Sequence, residues 1–289
     1  ASTPTMEFGQ ADAVGRALND LVEGGGDLTL DGATLNVSVP TGGNFGPGIY
    51  RVFNYDGDLL NDDLALGAMP GGSDVSVQTA VSGQVNLVNS AGLSLSFWDG
   101  DGGPKFNDTI NGGNGTWHLG GTDNNWTGSD GAINAAYADG TFAIFAGTGG
   151  TVTVDNGPGP VTASGMQFAS DGYLITGDAL TLTGPSSLIQ VGDSSVAGAG
   201  FTATIGAALT GTTQHVKTDA GTLVLSGTNS YTGGTLIEGG TVRISSDANL
   251  GDAAGGLDLD GGTLHTTADI ASGRDAALAG PGTLLTEAG

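Results

Sequence analysis

The chain has 289 residues, of which 56 are glycine, 30 are acidic and only 6 are basic, so its formal net charge is -24. This balance argues against binding to nucleic acid or anionic lipid, since both need basic patches. The absence of cysteine excludes disulfides, thiol catalysis and cysteine-based metal sites. Glycine at this level, with 38% hydrophobic residues and no three-residue period, predicts turns between many short strands.

The first predicted element is a short helix near the N-terminus. Apolar residues follow helical spacing at Val14, Ala17, Leu18, Leu21 and Val22. Three glycines at 24–26 then end the pattern. We expect residues 1–26 to form a cap that covers an exposed strand edge at the end of a β core. A partner-binding helix and a disordered segment are the alternatives.

Residues 27–151 are predicted to form an N-terminal β region with long polar loops. The region opens with a strand, a glycine turn and a second strand at residues 28–35, and the same pattern recurs at residues 257–264. Residues 99–140 are rich in glycine, asparagine and aspartate, which predicts irregular loops. The sequence leaves open whether this region continues a β-helix or forms a separate β subdomain.

Residues 152–289 are predicted to be regular β coils. Gly-Thr-Leu or Gly-Thr-Val begins at Gly221, Gly240, Gly262 and Gly282, at intervals of 19, 22 and 20 residues. A constant period of about 20 residues is typical of a solenoid in which each unit forms roughly one coil. Each coil buries its apolar face by stacking on the next, about 4.8 Å away. We therefore predict an all-β solenoid.

One run in this region closely resembles a known family. Residues 217–235 and their continuation at 237–242 are similar to the passenger-associated transport repeat of bacterial autotransporters, which use type V secretion. The matching positions include Gly221, Thr222, Leu223, Asn229, Tyr231, Gly233, Gly234, Gly239 and Gly240. The repeat covers about 217–244, and a looser resemblance covers most of the chain after residue 26.

The resemblance implies a right-handed parallel β-helix on the surface of a Gram-negative bacterium. The exported segment of such a protein passes through its own C-terminal outer-membrane barrel, which we expect beyond Gly289. Within the repeat, Gly233, Gly234, Gly239 and Gly240 are predicted to allow positive φ at tight corners. Asn229 is predicted to bond backbone or a like residue in the next coil, and Tyr231 to cover a corner. Folding of one coil after another outside the pore would then oppose return of the chain through the pore.

The acidic loops contain a candidate calcium site at Asp99, Asp101 and Asp108. An EF-hand loop needs a glutamate at its twelfth position, where this chain has Ile110, so the EF-hand interpretation fails. Weak calcium binding and a solvated turn are the two remaining interpretations. We expect no cofactor.

Catalysis has little support in the sequence. Glycoside hydrolysis needs two carboxyl groups about 5–9.5 Å apart, and Asp258 and Asp260 share one strand face at a suitable spacing. The equivalent pair at the other end of the chain is Thr29 and Asp31, which indicates a solvent-facing row and no catalytic pair. The three histidines, His118, His215 and His265, are distant from one another in the sequence. We predict that the chain is not an enzyme.

Four aromatic residues, Trp98, Trp117, Trp126 and Tyr137, lie within the polar middle of the chain. They form a candidate recognition segment that would stack on sugar rings or hold a protein partner. The alternative interpretation is that they pin the long loops to the core.

The sequence and the resemblance together predict an adhesive scaffold. We expect its partners to be its own C-terminal barrel, a host surface protein or glycan, or a second copy of itself. We expect no binding to nucleic acid. A secreted carbohydrate-active β-helix enzyme is the first alternative. A pure stalk, with recognition elsewhere in the parent chain, is the second.

Overall fold

A computed structural model of the protein describes residues 5–7, 20–40, 45–61 and 63–287. These residues form strands and loops, with short 3-10 helices at Ala197–Gly200, Asp247–Leu250 and Ala253–Gly255. No helix in the described ranges is long and apolar enough to cross a membrane. The described part of the chain is therefore all-β, as the glycine-punctuated strands predict.

The N-terminal part is a small β-helical unit. Its strands are β1 (Thr5–Glu7), β2 (Val22–Gly24), β3 (Leu28–Thr29), β4 (Ala33–Ser38), β5 (Gly48–Tyr55), β6 (Leu59–Asn61), β7 (Leu64–Leu66), β8 (Val75–Gln78) and β9 (Gln84–Asn89). The coil β2–β3–β4 stacks in parallel on the coil β5–β6–β7, and β1 extends the stack by pairing with β4. Strand β9 then pairs with β5 in antiparallel fashion, and β8 pairs with β9 in the same way. This unit has a hydrophobic cluster of its own.

The predicted N-terminal helix falls mostly outside the described residues. Val14, Ala17 and Leu18 lie in the undescribed range 8–19, while Val22 lies in β2 and pairs with Phe53 of β5. The prediction is therefore wrong at its C-terminal end. A parallel partner strand satisfies the backbone of Val22, and this pairing overrides the local helical spacing.

The larger part is a parallel β-helix. Its strands are β10 (Leu95–Trp98), β11 (Gly115–Trp117), β12 (Trp126–Thr127), β13 (Phe142–Phe145), β14 (Thr151–Val154), β15 (Thr162–Ala163), β16 (Gly165–Phe168), β17 (Tyr173–Gly177), β18 (Leu180–Leu182), β19 (Ser186–Val191), β20 (Thr202–Ile205), β21 (Leu209–Thr210), β22 (Gln214–Thr218), β23 (Thr222–Leu225), β24 (Thr235–Ile237), β25 (Thr241–Ile244), β26 (Leu257–Leu259), β27 (Thr263–Thr266), β28 (Ala276–Leu278) and β29 (Thr283–Thr286).

Three sheets run along this β-helix. One has nine strands from β12 and β10 to β28, one has eight from β11 to β29, and a short third sheet contains β15, β18 and β21. From β13 onward each coil contributes one strand to each long sheet, whereas the first coil contributes both β10 and β12 to the nine-stranded sheet. Every pairing in these two sheets is parallel except that of β10 with β12. After β21, loops replace the third sheet.

The repeat period predicted from the sequence is confirmed by the strand register. Thr222 pairs with Thr241, Thr241 with Thr263, and Thr263 with Thr283, so the four Gly-Thr-Leu or Gly-Thr-Val copies stack directly on one another. The leucine or valine that follows each of the first three threonines is buried in one continuous core. Each such side chain stabilises the fold by about 1.5–3 kcal/mol relative to an exposed one. Stacking is thus the source of the stability of the coils.

The N-terminal unit docks against the outer flank of the nine-stranded sheet. Ile49 and Val88 pack there on outward-facing side chains of β10 and β13 in a separate hydrophobic cluster. The Gln167 side chain of β16 accepts a hydrogen bond from Ile49 N (2.7 Å) and donates one to Ile49 O (3.1 Å). Buried Arg51 forms a salt bridge of 2.5 Å with Asp193, which follows β19. The N-terminal unit is thus held by apolar packing, amide bonds and a buried ion pair.

Candidate functional site: the transport repeat and the loop segment

The transport repeat consists of β22 to β25 and the loop between β23 and β24. Asn229 in that loop is buried, and its side-chain oxygen accepts a hydrogen bond from Leu209 N (2.8 Å). Its amide nitrogen donates to the Asn249 carbonyl of the next coil (2.6 Å), and the Asn249 side chain donates back to Gly227 O (2.9 Å). These bonds are of the kind predicted for Asn229. They replace the missing third sheet with side-chain bridges between coils.

Tyr231 closes the same corner from within. Its side chain is fully buried, and its hydroxyl lies 2.7 Å from the Thr235 hydroxyl. Burial raises the pKa of Tyr231 to about 12. Its ring centroid lies 3.8 Å from that of His215, whose pKa burial lowers to about 3. Both groups are therefore neutral near pH 7 and act as packing residues.

Two of the four repeat glycines predicted to have positive φ do so. Gly234 has φ 83° and Gly240 has φ 61°, while Gly233 and Gly239 stay outside this region. A Cβ on Gly234 would overlap the Gly255 carbonyl, and a Cβ on Gly240 would lie 2.5 Å from Asp219 O. Glycine is required at both corners because neighbouring coils approach there to backbone contact.

Lys217 is a feature of the repeat that sequence reasoning missed. It occupies the inward row that holds Ile189 one coil before and Ile237 one coil after. The buried ammonium group donates hydrogen bonds to the carbonyls of Thr218 (2.6 Å), Asp219 (2.8 Å) and Gly239 (3.2 Å). Only the register between coils, which pairs Lys217 with Ile189 and Ile237, reveals this placement, and the sequence of β22 alone does not show it. Lys217 ties a corner of one coil to the next.

The loop segment, residues 97–137, does not present its aromatic residues to solvent. Trp98, Trp117, Trp126 and Tyr137 are all buried, and they belong to the main core. The ring centroids of Trp117 and Trp126 are 5.0 Å apart, and those of Trp126 and Tyr137 are 4.6 Å apart. Trp98 also donates a hydrogen bond to Gly113 O (2.8 Å). The expectation of an exposed stacking platform is corrected: these side chains pin the loops to the core.

The calcium candidates are engaged in loop bonds. Asp99 is buried, and it accepts hydrogen bonds from Asn111 N (2.8 Å) and the Asn134 amide (2.7 Å). Asp101 accepts one from Asn114 N (2.6 Å), while Asp108 is exposed with a φ of 55°. These hydrogen bonds give Asp99 and Asp101 a structural role in the loops. Within the described residues, no three His, Asp or Glu side chains are grouped to hold a metal ion.

The remaining candidate catalytic groups are the three histidines and the carboxylate pair Asp258 and Asp260. His118 contacts Asp123 (3.1 Å) and His265 contacts Glu287 (3.0 Å), whereas His215 is buried in the repeat. Asp258 lies beside Leu236 on one neighbouring strand and Ala277 on the other, so neither adjacent coil supplies a carboxylate at its position. Asp258 is half-buried between buried Leu257 and Leu259, and Asp260, which follows the strand, is exposed.

The stacked parallel sheets and the inter-coil bridges define the class of the protein as a parallel β-solenoid. Comparison with known proteins adds the family. The passenger-associated transport repeat family matches residues 216–244. The adhesin BmaC autotransporter of Brucella suis biovar 1 (strain 1330) is 59% identical over 284 residues, which are 98% of this chain and 8% of that protein. No solved structure matches the chain.

The chain is therefore passenger sequence of a bacterial autotransporter, as its resemblance to that family implied. Proteins of this kind are surface-exposed and associated with the outer membrane of a Gram-negative bacterium. The chain spans only 8% of the length of the curated relative that it matches.

Proposed function

We propose that this chain is a non-catalytic, β-helical segment of a surface adhesin and contributes to bacterial attachment. The observation that carries the proposal is the 59% identity, over nearly the whole chain, to a protein named as an adhesin autotransporter. Attachment to a host surface protein or glycan is the mode that we place first. Self-association between bacteria is the second mode of the same adhesive function.

The geometry supports a scaffolding role within such an adhesin. Each coil adds about 4.8 Å of length, and buried side-chain bridges such as Asn229–Asn249 hold consecutive coils together. A rigid stack of this kind holds its loops at a fixed distance from the cell, and loops on a rigid scaffold are where binding residues tend to lie.

Export would use a C-terminal outer-membrane barrel in the parent protein. The transport repeat supports this proposal because its coils can stack one at a time as they leave a pore. Each new coil gains the inter-coil bonds of Lys217 and Asn229 only outside the membrane. Folding would thereby oppose return of the chain through the pore.

A binding screen tests the adhesive proposal against the two alternatives. The purified chain would be applied to immobilised matrix proteins and glycans, and polysaccharide turnover would be followed by release of reducing ends. Deletion of residues 97–137 is unsuitable as a control because it removes four buried core aromatics. We expect saturable binding without turnover. Polysaccharide turnover would favour the interpretation as a carbohydrate-active enzyme. Absence of both binding and turnover would favour the interpretation as a stalk.

A further inference from the structure

The loop segment exposes two large apolar side chains that the sequence pattern did not single out. Phe106 is 58% exposed and Ile133 is 72% exposed. They lie on neighbouring loops, because Phe106 N donates a hydrogen bond of 2.6 Å to the side-chain oxygen of Asn134. A Cβ on Gly131 would also lie 2.5 Å from Thr109 N, which shows how closely the two loops approach. The two apolar groups therefore share one part of the surface.

A buried hydrogen-bond network holds this part of the surface in place. Asn134 is buried, and its amide donates to Asp99, which in turn accepts from Asn111 N (2.8 Å). Phe106 itself has a φ of 57°, a conformation that bulky residues rarely adopt. The ring is thus displayed from a fixed backbone, and a partner that contacts it has little chain entropy to remove.

The charges on the loops around the two apolar groups are mostly negative. The exposed carboxylates of residues 99–140 are Asp101, Asp108, Asp123, Asp130 and Asp139. Lys105 is the only lysine or arginine in that range. Its ammonium group donates a 2.6 Å hydrogen bond to Gly100 O, and burial lowers its pKa. The outer face of the loops therefore attracts cations and repels anionic lipid and nucleic acid.

We propose that Phe106, Asp108, Asp130 and Ile133, here called the Phe106 surface, form a docking site for an arginine- and lysine-rich protein segment. A guanidinium group would stack on the Phe106 ring while its methylenes cover Ile133. Asp108 lies two residues from Phe106, and Asp130 precedes Gly131, where a Cβ would lie 2.9 Å from the backbone carbon of Asp108, so both exposed carboxylates lie on the two loops that carry the apolar pair. This inference names a partner class for the adhesive function proposed above and rests on it.

The test uses the full 289-residue chain and two synthetic peptides of equal length, one rich in arginine and one with citrulline at each arginine position. Calorimetric titration would compare the wild type with Phe106→Ala, Ile133→Ala and the pair Asp108→Asn with Asp130→Asn. Val196→Ala is the matched apolar control, since Val196 is 83% exposed and lies outside the loop segment. Asp56→Asn with Asp58→Asn is the matched charge control.

We expect Phe106→Ala to weaken arginine-peptide binding about tenfold, which is the effect of losing one cation–π contact. The double asparagine variant would weaken binding more than its charge control does, and the citrulline peptide would bind poorly to every protein. Equal affinity of the wild type, Phe106→Ala and Val196→Ala would overturn the proposal, because binding would then reflect net charge alone. If the chain still supports attachment in that case, only the docking site is lost and the adhesive function stands.

Discussion

Gly234 shows at the scale of one residue why the transport repeat is rich in glycine. Its φ is 83°, and a side chain there would overlap the Gly255 carbonyl of the next coil. Gly172 has a similar φ of 81°, but open space surrounds the position of its Cβ. Comparing an alanine substitution at each position therefore distinguishes the free-energy cost of the backbone conformation from the cost of the steric overlap.

We predict that Gly234→Ala lowers the free energy of unfolding by about 2 kcal/mol more than Gly172→Ala does. The left-handed conformation costs both variants about 1–2 kcal/mol, and only Gly234→Ala adds overpacking. Thermal unfolding followed by circular dichroism measures the difference. Equal losses in the two variants would mean that the coils do not approach at this corner.

Lys217 marks a limit of sequence reasoning at the same scale. A lysine in a strand is ordinarily placed on a solvent face, yet this one lies in the inward row between Ile189 and Ile237. Three backbone carbonyls at the coil corner satisfy its ammonium group, and local sequence does not report those carbonyls. Burial of the charge is tolerated because its hydrogen bonds are made within the protein.

At the scale of elements, the coil period was predictable, since each Gly-Thr-Leu or Gly-Thr-Val copy forms one turn and one strand in fixed register. The contacts of the loop segment were not predictable from the sequence. Its glycine and asparagine content resembles that of solvated loops, but Asp99 and Trp98 bond backbone and amide groups within the segment and so fold it inward. Such contacts depend on how separate parts of the chain pack together. Neither the two-residue period of a strand nor the twenty-residue period of the coils predicts that packing.

The docking of the N-terminal unit was equally hidden from the sequence. Ile49 and Gln167 are 118 positions apart, and their two hydrogen bonds follow no local pattern. The strand–turn–strand pattern shared by residues 28–35 and 257–264 correctly indicated similar coils at both ends of the chain. It did not indicate that the first coils would lie on the flank of the others.

The Arg51–Asp193 ion pair supplies the prediction at this scale. Arg51→Met leaves the buried Asp193 carboxylate without its cation, and loss of one partner from a buried pair costs about 3–5 kcal/mol. We expect residues 45–61 to exchange backbone hydrogens faster in this variant and the N-terminal unit to unfold at lower denaturant concentration.

The matched control for that prediction is the double variant Arg51→Met with Asp193→Asn. It removes both charges but keeps a side-chain oxygen that accepts the hydrogen bonds from Ser195. We expect it to recover part of the lost stability. Unchanged hydrogen exchange in Arg51→Met would show that apolar packing alone holds the N-terminal unit in place.

At the scale of the whole molecule, the fold is an acidic rod of stacked coils with the N-terminal unit on its flank. The net charge of -24 keeps such rods apart from one another and from anionic surfaces. Attachment therefore depends on specific contacts that overcome repulsion, and the exposed Phe106 surface combines apolar and acidic groups in this way.

The adhesive role of the chain is tested most directly by competition. Bacteria that display the parent protein would be allowed to attach to host cells in the presence of increasing amounts of the purified chain, with an unrelated protein of similar net charge as the control. We predict that the chain inhibits attachment in a saturable manner and that the control does not. Undiminished attachment at saturating chain, together with inhibition by another segment of the parent protein, would contradict the account and leave this segment as a stalk.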